Sequence, residues 1–167
     1  YVQGQYAYVT NTGSNTLQIV DISNPPFPGH VSFFTIAGGP ISVYVQGRYA
    51  YVTSGNGYLQ IIDISNPSVP VQTATAAVGT TPQNIYVSGK YAYVTNGGSG
   101  SVSVVDVSNP LVPVQIATTS VGGSPRGIFV SGRYAYVANN TSNTISVVDV
   151  SNPFIPVQVA TTAVGTA

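Results

Sequence analysis

The phrase Gly-x-Tyr-Ala-Tyr-Val occurs four times, as GQYAYV from Gly4, GRYAYV from Gly47, GKYAYV from Gly89 and GRYAYV from Gly132, at steps of 43, 42 and 43 residues. A fixed period of this size means stacked supersecondary units, because one unit cannot bury its own apolar face and must share a core with its copies. A second phrase keeps the same register: LQIVDISNP from Leu17, LQIIDISNP from Leu59, VSVVDVSNP from Val102 and ISVVDVSNP from Ile145. The repeats fall at about 4–46, 47–88, 89–131 and 132–167, in one domain or segment of a longer repeat array spanning all 167 residues.

Each period reads as four short strands. In the second they cover residues 41–46, 49–53, 58–64 and roughly 69–78, rich in Val, Ile, Tyr and Thr and bounded by Gly, Pro, Asn or Ser. We label them A to D. No segment has a helical period, and Gly and Pro return too often to allow one. In strand C, Leu59 and Ile61 point one way and Ile62 and Ile64 the other, so both faces of the sheet require burial. Strand B has a bulky side, Tyr49 and Tyr51, and a small side, Ala50 and Val52. A sheet covered on both faces by its own copies is a propeller blade, with the Tyr side of one blade packed on the small side of the next. The predicted fold class is all-β, a β-propeller of four-stranded antiparallel blades. Tyr6, Tyr8, Tyr91, Tyr93, Tyr134 and Tyr136 keep this register.

The segments AYVTN at Ala7 and Ala92, together with the LQIVDISNP phrase, make the chain resemble the YVTN and LVIVD families of β-propeller repeats over essentially all four periods. That resemblance implies a bacterial or archaeal cell-surface or secreted protein, and no single activity.

Composition narrows the function classes. Charged residues are 5% of the chain, against roughly 25% in typical soluble domains, and the net charge is zero. A nucleic-acid binder needs clustered Lys and Arg; the four basic residues here are too dispersed, so no nucleic-acid partner is expected. No apolar run approaches the roughly 18 residues that cross a bilayer. The absence of Cys excludes disulfides and thiolate chemistry. Abundant Thr, Ser, Asn and Gly lean toward an extracellular or cell-surface location.

The one acidic residue of each repeat, Asp21, Asp63, Asp106 or Asp149, ends strand C before Ile/Val-Ser-Asn-Pro. Asp side chains accept hydrogen bonds from backbone amides at turns, so all four are expected to be structural turn residues. A calcium loop would gather several carboxylates where each turn has one, so no metal and no cofactor are expected. His30, the single histidine, aligns with Gln72, Gln115 and Gln158 on outer strand D and reads as a solvated side chain, and the sequence has no nucleophile-elbow pattern to pair with it. Arg48, Lys90 and Arg133 occupy the A–B turns and read as a solubilising ring. Arg126 lies in the D–A connection GGSPRG, where the other copies have Ile41 and Gln83, and is a candidate for holding an anionic group.

The B–C connections (TNTGSNT, TSGNGY, TNGGSGS, ANNTSNT) and the D–A connections (AGGPIS, GTTPQN, GGSPRG) diverge between copies, and propeller topology brings both sets to one face. Their chemistry is hydroxyl, amide and glycine, suited to a neutral glycan or an extended peptide. Asn11, Asn15, Asn56, Gln83, Asn84, Arg126 and Asn140 are the candidate ligand-binding loop residues. Asn139 and Asn140 begin two overlapping N-x-[ST] acceptor patterns for glycosylation.

The expected function is therefore a non-enzymatic structural or binding module with a protein or glycan partner. The alternative is a propeller enzyme of lactonase or hydrolase type, with its site in the central channel. The chain starts inside a strand A, since Tyr1-Val2-Gln3-Gly4 matches Tyr44-Val45-Gln46-Gly47. It stops at Val164-Gly165-Thr166-Ala167, matching Val78-Gly79-Thr80-Thr81. Self-association into an eight-bladed ring, or a place within a longer propeller chain, is expected from these ends.

Overall fold

The computed structural model describes residues 1–165; Thr166 and Ala167, the last of the match to Thr80 and Thr81, lie outside the described residues. Sixteen strands form four separate four-stranded antiparallel meanders, each running from an inner strand A to an outer strand D. The first blade holds β1 (Val2–Gln3), β2 (Tyr6–Asn11), β3 (Thr16–Asp21) and β4 (Gly29–Thr35). The second holds β5 (Pro40–Gln46), β6 (Tyr49–Ser54), β7 (Tyr58–Asp63) and β8 (Val71–Ala77). The third holds β9 (Pro82–Ser88), β10 (Tyr91–Asn96), β11 (Ser101–Asp106) and β12 (Val114–Ser120). The fourth holds β13 (Pro125–Ser131), β14 (Tyr134–Asn139), β15 (Thr144–Asp149) and β16 (Val157–Ala163). The expected all-β blade architecture is the observed one. Strand D begins two residues later than expected, because the Val69 amide is taken by the Asn66 carbonyl in the turn (3.0 Å).

Three apolar clusters fill the joints between successive blades. Tyr8, Leu17 and Ile19 of the first blade meet Val45, Ala50, Val52, Ile62 and Ile64 of the second. Tyr51, Leu59 and Ile61 meet Val87, Ala92, Val94, Val105 and Val107. Tyr93, Val102 and Val104 meet Val130, Ala135, Val137, Val148 and Val150. Each joint thus seats a tyrosine on the alanine and valine of the following strand B, so the large side chain fills the space that the small ones leave. Neighbouring A strands lie close together while the D strands splay apart, which curves the stack into an arc.

The two-residue A–B turn explains why glycine opens the repeat phrase. Gly4, Gly47, Gly89 and Gly132 have φ between 58° and 61°, a left-handed conformation that a β-carbon would strain.

Candidate functional site: the loop face and its bulges

At one end of the blades the B–C connections bond to the D–A connections that feed the same blade. The Gly55 amide donates to the Gly39 carbonyl (2.9 Å), Gly97 to Thr81 (2.9 Å) and Asn140 to Ser124 (3.0 Å). Across the first joint the hydroxyls of Thr10 and Thr12 donate to the carbonyls of Ile41 (3.1 Å) and Pro40 (2.7 Å). Both variable sets of loops therefore share a face whose frame is fixed by backbone hydrogen bonds.

Each complete A strand enters this face through one bulge, and pairing with strand B skips Ile41, Gln83 and Arg126. A bulge breaks the in–out alternation and re-aims one side chain, a device common beside functional sites. Three positions that differ between repeats thus sit at the bulges, and of the three only Arg126 is exposed. Just before the bulge, Gly39, Thr81 and Ser124 take φ of 70°, 46° and 49°. For Thr81, β-branched and followed by proline, the left-handed conformation costs roughly 1–2 kcal/mol.

Arg126 is exposed, and among the described residues its guanidinium enters no ion pair. It borders a cavity of about 310 Å³ with Asn139, Asn140, Asn143 and Ile145. Asn15 and Asn140 are exposed on their loops. Asn56 accepts from the Ser54 hydroxyl (2.8 Å) and covers Gly38 so closely that a β-carbon there would lie 2.1 Å from it. Gln83 is half-buried against Gly97, with Nε2 donating to the Thr81 carbonyl (3.4 Å). Asn84 is half-buried as well, and its backbone N–H donates to the Thr95 hydroxyl (3.0 Å).

One expectation needs correction. Asn139 is only 3% exposed and its amide donates to Thr144 Oγ1 (3.0 Å) and Ser146 Oγ (2.9 Å), so it cannot accept a glycan. Asn140 alone keeps an exposed acceptor pattern. Asn11, half-buried at the equivalent position, donates to Gln18 Oε1 (3.3 Å) and lines a cavity with Gln18, His30 and Phe33. Sequence reasoning missed this internal amide network because the last residue of a strand B looks like the start of a loop.

The carboxylates lie at the opposite end of the blades. Asp21, Asp63, Asp106 and Asp149 each accept, through Oδ1, the amide of the serine two residues on, at 2.8–2.9 Å. Arg48 and Arg133 are not simply a solubilising ring: they pair with Asp63 and Asp149 of their own blades and lie over the rings of Tyr49 and Tyr134. The Arg48 bond holds the Asp63 carboxyl down to about 2, while the Ser151 bonds, followed by Arg133, do the same for Asp149. His30 is exposed on β4 opposite Val20, on the outer edge of the arc. Among the described residues no three His, Cys, Asp or Glu side chains gather as metal ligands, and no helix is long and apolar enough to cross a membrane.

The inner strands carry a feature that sequence reasoning also missed. Tyr1, Tyr44, Tyr86 and Phe129, each three residues before the turn glycine, stack from blade to blade with centroids 4.6, 5.2 and 5.0 Å apart. Burial and the neighbouring Tyr1 and Tyr86 hydroxyls push the Tyr44 phenol upward. The constant offset from the glycine was the available signal.

The LVIVD repeat profile matches the chain four times, at residues 1–35, 37–75, 79–118 and 122–162. No curated protein sequence matches it. Among solved structures, a proposed 6-phosphogluconolactonase from Bacteroides fragilis superposes with TM-score 0.85 at 18% identity, covering 96% of this chain and 52% of its own. A counterpart from Bacteroides uniformis gives 0.86 at 19%, with the same coverage. A periplasmic gluconolactonase from Pseudomonas aeruginosa gives 0.85 at 20%, over 97% of this chain and 52% of its own. The chain therefore spans about half the length of these propellers. The expectation of a non-enzymatic module is corrected by these likenesses, which favour the propeller-enzyme alternative.

Proposed function

The chain belongs to the LVIVD repeat family, and from that premise we propose that it supplies half of a propeller that binds and opens a sugar lactone. The observation that carries this reading is the superposition of nearly the whole chain on proteins named as gluconolactonases. The loop face is chemically suited to it. Opening a lactone needs water to attack the carbonyl carbon, after which the ring C–O bond breaks and a hydroxy acid leaves. Negative charge gathers on the carbonyl oxygen during the attack and on the carboxylate afterwards, and a fixed donor lowers both energies. Arg126, re-aimed by its bulge, offers a planar fork of N–H donors to such an oxyanion or to a sugar phosphate. Asn140 and Asn143, beside the same cavity, offer amides to sugar hydroxyls. A periplasmic or secreted setting belongs to this reading, supported by the periplasmic gluconolactonase among the similar structures.

The test is pH-stat titration of acid released from glucono-1,5-lactone and its 6-phosphate. Release above the spontaneous rate is expected, falling roughly 10²-fold in Arg126→Ala with an unchanged melting temperature. Release no faster than the spontaneous rate with both lactones would end the proposal.

A further inference from the structure

The turn between strands C and D repeats as Asn-Pro-x-x-Pro, and the two residues between its prolines are Pro26-Phe27, Ser68-Val69, Leu111-Val112 and Phe154-Ile155. Val69, Leu111, Val112 and Ile155 are 62%, 62%, 63% and 67% exposed. The second and third blades have a neighbour packed on each side, so the exposure of Val69, Leu111 and Val112 is a property of the repeat and not of the chain ends. The turns are also held in place. The Pro67 and Pro110 carbonyls accept the hydroxyls of Ser32 (2.6 Å) and Thr73 (3.2 Å) from strand D of the preceding blade. Apolar side chains fixed at one end of successive blades mark an interaction surface.

The tips leave no amide hydrogen unpaired. Pro110 and Pro113 have none, Leu111 donates to Asn109 Oδ1 (3.1 Å), and Val112 donates to the Asn109 carbonyl (3.0 Å). Phe154 and Ile155 bond to Asn152 in the same way, and Ser68 and Val69 to Asn66. Water would supply such partners to a solvated turn, whereas a turn complete within itself can enter a medium that supplies none.

We infer that this end of the blades rests on a zwitterionic lipid surface, with the turn tips inserted below the headgroups. Charge identifies the occupant. Arg48 is paired with Asp63 and Arg133 with Asp149, and Lys90 and Asp106 occupy the same two positions in the third blade, so the end carries balanced charge. Between each Asp and the next A–B turn the one charged side chain is Arg126, at the opposite end. An anionic surface would call for unpaired cations, whereas neutral headgroups over an acyl phase ask only for apolar area and satisfied backbone. Interfacial binding scales with the apolar area inserted, and one tip per blade adds along the row. The inference rests on these turns alone and stands apart from the lactonase reading.

The test uses the absence of tryptophan from the chain. Val112→Trp places a single reporter on a tip, and Gly13→Trp places one on the loop face, where an added side chain meets open space; circular dichroism verifies folding. With phosphatidylcholine vesicles the Val112→Trp emission is expected to shift to the blue and to be quenched by brominated acyl chains, while the Gly13→Trp emission stays as it is in buffer. Partition should be unchanged by added phosphatidylglycerol or by high salt. Leu111→Asp and Phe154→Asp, each added to Val112→Trp, should lower it roughly tenfold per tip. An unshifted Val112→Trp emission, a shift that requires phosphatidylglycerol, a shift of both reporters or an unchanged partition in the aspartate variants would each overturn it.

Discussion

Arg48 and Asp63 form an ion pair that clasps the A–B turn of the second blade to the end of its strand C, and Arg133 and Asp149 repeat it two blades on. Both carboxyls are held down to about 2 in the folded chain, against about 3.9 when unfolded. A depressed carboxyl contributes stability that is complete above the unfolded value and lost as pH falls through the folded one. The melting temperature is therefore expected to be flat above pH 5 and to drop between about 4 and 2. Arg48→Gln should shrink that drop by returning Asp63 toward its ordinary value. A scan in dilute buffer checks both, since salt screens exposed pairs.

The tyrosine that seats each joint should dominate stability. Tyr93→Ala leaves a void against Ala135 and Val137 and is expected to cost roughly 3–5 kcal/mol. Gln72→Ala, on the exposed outer strand β8, should change stability by less than about 0.5 kcal/mol. Urea denaturation of both variants makes the comparison, and equal effects would contradict the packing.

One internal network exchanges its long amide between strands. In the third blade Asn96 of strand B donates to Ser103 Oγ of strand C (2.9 Å), whereas in the second Gln60 of strand C donates to Ser54 Oγ of strand B (2.9 Å) and to the Ala37 carbonyl (2.7 Å). Gln60→Ser alone should cost roughly 1–3 kcal/mol by leaving buried groups unpartnered. Adding Ser54→Asn rebuilds the third blade's arrangement and should recover most of the loss, a coupling that a double-mutant cycle reads directly.

Thr81 holds a left-handed backbone at the mouth of the loop face. Thr81→Gly relieves that strain and, after the added chain entropy of glycine, should stabilise the fold by about 0.5–1 kcal/mol. If the strain positions the bulge at Gln83 for a ligand, the same variant should bind lactone product more weakly while melting higher.

Much of this architecture was legible in the sequence because repetition multiplies weak signals. The four copies of Tyr-Ala-Tyr-Val reveal a bulky and a small side at one spacing, and packing physics then leaves a blade-on-blade stack as the arrangement that buries both. The constant Asp before Ser-Asn-Pro reveals a turn bond, since one carboxylate per turn meets one backbone amide. The pairing of Arg48 with Asp63 was out of reach, because the two lie 15 residues apart and meet only through the register of β6 with β7. The bulges were equally hidden: whether Gln83 or Arg126 continues the alternation or leaves it depends on which partner residue the strand skips. Asn139 looked like a surface acceptor, and burial against Ser146 made it part of the interior. Local chemistry and periodicity determined the blade; only the assembled sheets decided which side chains face one another, because those contacts follow from strand register and bulge position, which no single strand's sequence sets.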